Sequence, residues 1–231
     1  MSSIDVNSTR TSFDPVDRAL QSRGISEQSV YQLVATRLAA VRPAGGTLVD
    51  VGCGVGDLNP HVKNLCDRYV GADIVRHDLL AADTEFVRID VESGRIPLDD
   101  DSVDVACAIE VISMVENPRA FVRELARIVR PGGWVFVSTL NNTSLLNLIT
   151  LVVRQRFQAF QDALYPMQIT ALLEVDLHRM AREAGLANVA TTFTAHGRVP
   201  FSNLFYPGAV ARLAPRWLSD LVLLEARKPD A

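Results

Sequence analysis

One stretch, Thr47-Leu48-Val49-Asp50-Val51-Gly52-Cys53-Gly54-Val55-Gly56-Asp57, limits the folds open to this chain more than any other. An apolar, β-branched run carries an acidic residue, breaks into alternating glycines and then opens the pattern of a helix. A strand that runs into a glycine-rich loop is a backbone shaped for the close approach of a ligand. Two ligand classes use such loops, and the residues here separate them. A dinucleotide fingerprint, G-x-G-x-x-G, needs its third glycine at position 57, where this chain has Asp57. Asp50 and Asp57 also flank the loop, and carboxylates repel a diphosphate. They suit a ligand with cationic groups.

S-adenosylmethionine has a sulfonium, an ammonium and a single carboxylate, so it meets that requirement. Four motifs then follow in order: VDVGCGVGD at 49–57, YVGAD at 69–73, FVRIDV at 86–91 and AIEVISMVENPRAFVRELARIVRPGG at 108–133. Together they resemble class I S-adenosylmethionine-dependent methyltransferases of the small-molecule type. The resemblance covers residues 27–140 well and the remainder loosely. It implies an α/β fold with a doubly wound, mostly parallel seven-stranded sheet whose last strand is antiparallel. It also implies S-adenosylmethionine as cofactor, with S-adenosylhomocysteine as product.

The expected cofactor contacts follow from motif position. Gly52, Cys53, Gly54 and Gly56 offer backbone, and Asp50 lies near the ammonium group. Asp73, at the end of the second strand, meets the ribose hydroxyls, with Ile74 beside it. A carboxylate there can accept from both hydroxyls, whereas a capping role for a helix at 76–82 is the structural alternative. Asp90 accepts from the adenine amino group and Val91 packs on the ring; a turn Asp is the alternative. Ile109 and Glu110 line the methyl-bearing side. The family's E-V-I-E-H-V run reads Glu110-Val111-Ile112-Ser113-Met114-Val115 here. Met114 cannot accept a proton, so a base comes from elsewhere or none is needed. His178, Glu110 and Tyr165 are the weak candidates, and no metal site is expected.

Composition excludes some classes. With 231 residues, the chain suits one domain with a real core. A net charge of −4 argues against general nucleic-acid binding. Cys53, Cys66 and Cys107 lack metal spacing and read as small hydrophobes. Residues 1–25 read as a polar, flexible arm without a signal-peptide core, and a cytoplasmic protein is expected. Residues 26–231 then form the methyltransferase domain, with substrate insertions near 141–170 and 196–220.

Helices are expected at 27–42, 57–66, 118–128 and from Thr170 to Gly185, with Tyr31 either touching ligand or sitting at a helix edge. The run Thr143 to Val153 is unusually apolar but too short to span a bilayer, which takes about 20 residues. A buried lid, a dimer contact and a peripheral membrane surface are its three readings, in that order. Arg154 and Arg156 follow it. The stretch Leu164 to Thr170 is similar to a "YP-x-x-IT" segment of methyltransferases in cell-surface polysaccharide and sugar pathways. A small-molecule acceptor is expected, with a sugar or a lipid-linked intermediate as the candidates, in a monomer or homodimer. A non-catalytic S-adenosylmethionine-binding module, an NAD-dependent oxidoreductase, and an RNA or protein methyltransferase are the alternatives.

Overall fold

Apolar runs separated by polar turns give alternating helices and strands in the computed structural model, which describes residues 15–90, 93–161, 164 and 167–230. Helix α1 (Pro15–Ser22) and α2 (Gln28–Val41) precede β1 (Thr47–Val51). Next come α3 (Asn59–Val62), β2 (Arg68–Asp73), β3 (Glu85–Arg88) and β4 (Val103–Ile109). The second half runs α4 (Pro118–Ile128), β5 (Val129–Leu140), α5 (Leu145–Arg154), α6 (Glu174–Glu183) and β6 (Ala187–Phe193). It ends with α7 (Gly208–Ala211), α8 (Pro215–Leu218) and β7 (Leu221–Arg227).

The strands form one seven-stranded sheet in the order β3-β2-β1-β4-β5-β7-β6. Only β7 runs antiparallel, against both β5 and β6. This is the doubly wound arrangement expected from the sequence. Side-chain alternation along β4 divides the core. Val103, Ala106 and Ala108 face α4 and α6, while Val105, Cys107 and Ile109 face α2 and α3. Arg37 of α2 forms a bidentate pair with Glu225, a buried carboxylate on β7, which ties that helix to the sheet. All three cysteines are unpaired, with Cys53 and Cys107 buried as small hydrophobes.

Several boundaries differ from the sequence expectation. Residues 15–25 are not a featureless arm: α1 and the turn after it pack on the glycine loop, where Val55 N donates to Arg23 O at 2.9 Å. Residues 1–14 lie outside the described residues. The helix at 57–66 shrinks to α3, because Leu65 and Asp67 turn back to bond Val62 O and Gly46 O. No helix forms at 76–82; that segment is a series of turns. Helix α6 starts at Glu174 rather than after Thr170. Ile169 N and Thr170 N both donate to Ser113 O, which keeps the chain extended until Leu173, whose N–H is capped by Asp176. Helix α4 begins as expected, with Asn117 Oδ1 accepting from Ala120 N.

The order of the sheet places four connections at its carboxyl edge: the loop after β1, the loop after β4, and the insertions between β5 and α6 and between β6 and β7. In open α/β sheets, ligands bind along that edge.

Candidate active site

The glycine loop is built on left-handed backbone. Gly52 has φ +78° and donates its N–H to Ala72 O at 2.7 Å, which fastens the loop to β2. A Cβ there would lie 2.3 Å from Val111 Cγ2, so the loops after β1 and β4 touch only because position 52 is glycine. Gly54, at φ +51°, is tighter still: a Cβ would meet Arg23 O at 1.9 Å. Gly56 closes the turn with its N–H on Cys53 O. The Cys53 side chain does not face a ligand space. It is buried against Gly71 of β2, and burial raises its thiol pKa strongly, so only its backbone is available to the loop.

Asp73 sits where the sequence places it, at the carboxyl end of β2. It is 7% exposed, and its oxygens accept from Gly54 N at 2.9 Å and Ile74 N at 2.7 Å. Burial raises its pKa, with those backbone donors and nearby His77 opposing the rise. His77 Nε2 is itself buried without a hydrogen-bond partner among the described residues. A carboxylate offers about four lone-pair positions, so Asp73 keeps acceptor capacity beyond its two backbone bonds. A carboxylate with spare acceptors, an orphaned imidazole nitrogen beside it, and a loop without side chains fit a ribose-bearing cofactor. Asp90, just beyond β3, is exposed and accepts from Ser93 N at 3.1 Å in a turn. Val91 lies outside the described residues.

Asp50 is directed away from the loop. It shares a strand face with Leu48, which points to the α2–α3 layer, and its Oδ2 accepts from Tyr69 Oη at 2.6 Å. Only 3% of it is exposed. Burial pushes its carboxyl from 3.8 up to about 7; the Tyr69 bond lowers it and the Asp73 charge raises it. The folded chain therefore holds a proton that the unfolded chain releases. Stability from that protonated carboxyl is complete below about pH 3.8 and is lost as pH rises toward about 7. We expect Asp50→Asn, which cannot titrate, to flatten this part of a thermal-midpoint-versus-pH curve. A slope equal to that of the wild type would refute the assignment.

Helix α1 and the turn after it cross the site. Arg18 Nη1 donates to Met114 O in the loop after β4. Tyr31 of α2 is buried and holds this crossing segment: its hydroxyl accepts from Ser26 N at 2.8 Å and donates to Gly24 O at 3.2 Å. Of its two expected roles, the structural one is what these bonds describe. Ser26 in turn donates a short hydrogen bond to Glu110 Oε2.

Ile109 ends β4, buried against the α2 side. Glu110 follows with φ +58°, a strained conformation for a residue with a side chain. Its N–H is held by Ser138, through the carbonyl at 3.2 Å and the hydroxyl at 3.0 Å. Desolvation pushes its carboxyl up to about 7, opposed by Ser26 and reinforced by the charges of Glu27 and Asp220. This places it near neutrality, where a proton acceptor works best.

A cavity of about 370 Å³ opens beside Glu110. Ser26 and Glu27 form one wall, and Arg198, Phe205 and Asp220 form another. Arg198 Nε bonds Asp220 Oδ2 at 2.8 Å. His196 stacks on Phe205 with ring centroids 4.4 Å apart and brings Nε2 within 3.9 Å of Glu27. Glu27 has a raised pKa, chiefly from burial and further from Asp220, while His196 lowers it. Nothing in the sequence singles out His196 or Glu27; they meet because β7 returns beside β5 and brings the 196–220 insertion over the end of β4.

His178 is placed elsewhere. It lies on α6 with Nε2 3.4 Å from Thr191 Oγ1 on β6. That strand is at the sheet edge, three strand spacings from β4, roughly 14 Å. Tyr165 lies outside the described residues.

A family model described as "Methyltransferase domain" matches residues 26–191. The ubiquinone biosynthesis O-methyltransferase of Thiobacillus denitrificans is 31% identical over 62% of this chain and 65% of its own length. The mitochondrial ubiquinone biosynthesis O-methyltransferase of Dictyostelium discoideum is 32% identical over 44% of this chain. The match covers 37% of that relative, so the chain spans less than two thirds of either protein's length. Among solved structures, a SAM-dependent methyltransferase from Thermotoga maritima has the same fold. Its TM-score is 0.62 at 17% identity, covering 87% of this chain and 90% of that one. With the strand order, the glycine loop and the family match in agreement, the chain belongs to the class I S-adenosylmethionine-dependent methyltransferase family.

Proposed function

We propose that this protein transfers a methyl group from S-adenosylmethionine to an oxygen of a small, partly apolar molecule held in the cavity beside Glu110. The observation that carries this reading is the placement of Glu110. It lines the cavity next to Val111, which lies against Gly52 of the glycine loop, and its carboxyl is near neutrality. S-adenosylmethionine, when bound, supplies a methyl group already activated by the sulfonium charge.

The chain's own residues then have three tasks. Asp73 and Asp90 hold the ribose and adenine, with Gly52, Gly54 and Gly56 giving backbone approach. Alignment of acceptor and donor comes from the cavity, whose Phe205, Leu140 and Leu221 exclude water from one side. Such positioning can supply much of the acceleration for a donor of this kind. Glu110 takes the proton of an acceptor hydroxyl, held in place by Ser26. Asp50, bonded to Tyr69, stands under the loop beside Asp73. The relatives named as O-methyltransferases support oxygen as the accepting atom.

Calorimetric titration tests the cofactor directly. Saturable binding of S-adenosylmethionine with no heat from NAD is the expected result. Binding of NAD alone would overturn the reading from the glycine loop onward.

A further inference from the structure

Among the described residues, Leu20, Ile25, Leu79, Leu173 and Val175 are exposed apolar side chains elsewhere on the protein, and the other large ones concentrate in the two insertions at the carboxyl edge of the sheet. The first insertion contributes Leu145, Leu151, Val152 and Val153 from α5; the second contributes Phe201, Leu204, Leu213 and Trp217 around α7 and α8. Val152 and Phe201 are each 75% exposed and Leu213 is 85% exposed. The insertions are joined: Asn141 Nδ2 donates to both Arg216 O and Ser219 O, and α5 packs on α8.

Helix α5 leaves its carboxyl end outside the protein. Asn147 and Thr150 are buried and Leu146, Leu148 and Ile149 half-buried, while Leu151, Val152 and Val153 are exposed. Asn147 is fixed inward by donating to Asn141 O and accepting from Gln158 N, each at 2.9 Å. The buried-lid reading of this segment therefore does not describe it. An apolar helix end held in solvent in this way marks an interaction surface.

The charges around this face indicate which partner. Between 141 and 173 the described charged residues are Arg154 and Arg156; between 197 and 219 they are Arg198, Arg212 and Arg216. Arg198 and Arg216 pair with Asp220 and Glu174, whereas Arg154, Arg156 and Arg212 make no ion pair among the described residues. The chain as a whole carries a net charge of −4, so this basic rim is local. A symmetric dimer through the same face would set these arginines near their own copies, like charge against like. An anionic bilayer satisfies both features, apolar side chains entering the acyl boundary and arginines meeting headgroups.

We propose that the α5–α7–α8 face docks this protein on anionic membranes. Among the described residues no helix is long and apolar enough to cross a membrane, so the contact is peripheral. Phe205 belongs both to this face and to the cavity wall, so a bilayer bound here lies at the cavity mouth.

Vesicle sedimentation tests this without reference to methyl transfer. Two vesicle types serve as probes: phosphatidylcholine alone, and phosphatidylcholine with about 30% phosphatidylglycerol. The wild type is expected to pellet only with the anionic vesicles and to be released at about 0.5 M salt. The triple variant Arg154→Glu, Arg156→Glu, Arg212→Glu should partition at least roughly a hundredfold less. Val152→Glu with Leu213→Glu should lose binding by more than about tenfold. Val152, Arg154, Arg212 and Leu213 are exposed and Arg156 is half-buried, so thermal midpoints should stay near the wild-type value; the salt release on unaltered protein stands even if a variant misfolds. Wild type that stays in the supernatant with anionic vesicles, or folded variants that pellet as it does, would overturn the proposal. A wild-type dimer that the apolar variant dissociates, with no vesicle binding, would replace it with self-association.

Discussion

Asp73→Ala should weaken S-adenosylmethionine binding by roughly a hundredfold or more while leaving a folded protein, as read by calorimetric titration. The expectation rests on two hydrogen bonds from ribose hydroxyls to one carboxylate. Bonds to a charged group contribute roughly 1.5–3 kcal/mol each, and each 1.4 kcal/mol is tenfold in affinity. Part of the loss is indirect. Asp73 also accepts from Gly54 N and Ile74 N, so its removal leaves two backbone donors of the loop unpaired. Asp73→Asn separates these contributions, because its amide oxygen still accepts from the loop but the charge is gone. Its affinity should fall between those of the wild type and the alanine variant. Unchanged affinity in Asp73→Ala would remove this residue from the cofactor site.

Glu110→Gln should lower kcat by roughly 10²–10⁴, the range general-base catalysis spans, with cofactor affinity nearly unaltered. Turnover is measured as release of S-adenosylhomocysteine with a hydroxyl acceptor found by screening. The pH profile gives a second, independent sign. A base must be unprotonated, so wild-type kcat should climb as pH rises through about 7, where desolvation places this carboxyl. Glutamine has no such titration, so the variant's profile should be flat there. Equal loss at every pH with the climb retained would mean that Glu110 only shapes the loop. Its strained φ of +58° makes that alternative concrete, since any change at this position could relax the turn.

The cavity argues for the same division of labour from the other side. His196 and Glu27 face each other beside it, and among the described residues neither bonds the loop after β4. Glu110 is tied to both the crossing segment, through Ser26, and the sheet, through Ser138. A proton acceptor must be held in register with the methyl donor, and only a group anchored on two sides is held in this way.

What the residues determined by themselves is the central half of the molecule. The strand–glycine–helix stretch, the acidic end of β2 and the Asn117-Pro118 helix start are local signals. Each depends on backbone preference or on a side chain bonding its own near neighbours, so each can be read along the chain. The antiparallel last strand followed from the family resemblance, since no residue in β7 announces that direction.

Only the tertiary structure decided the rest. Asp50 reads as a residue flanking the loop, and the fold adds a hydrogen bond from Tyr69 that the chain order does not show. His178 reads as a base, yet topology leaves it beside the edge strand. Glu27, Glu110 and Asp220 lie far apart in sequence and meet around one cavity because β7 inserts between β5 and β6. The apolar run 143–153 reads as a lid by composition, but Asn147 and Thr150 set which face turns inward. Hydrophobic content fixes how much surface wants burial, while a few directional hydrogen bonds fix which side of the helix receives it.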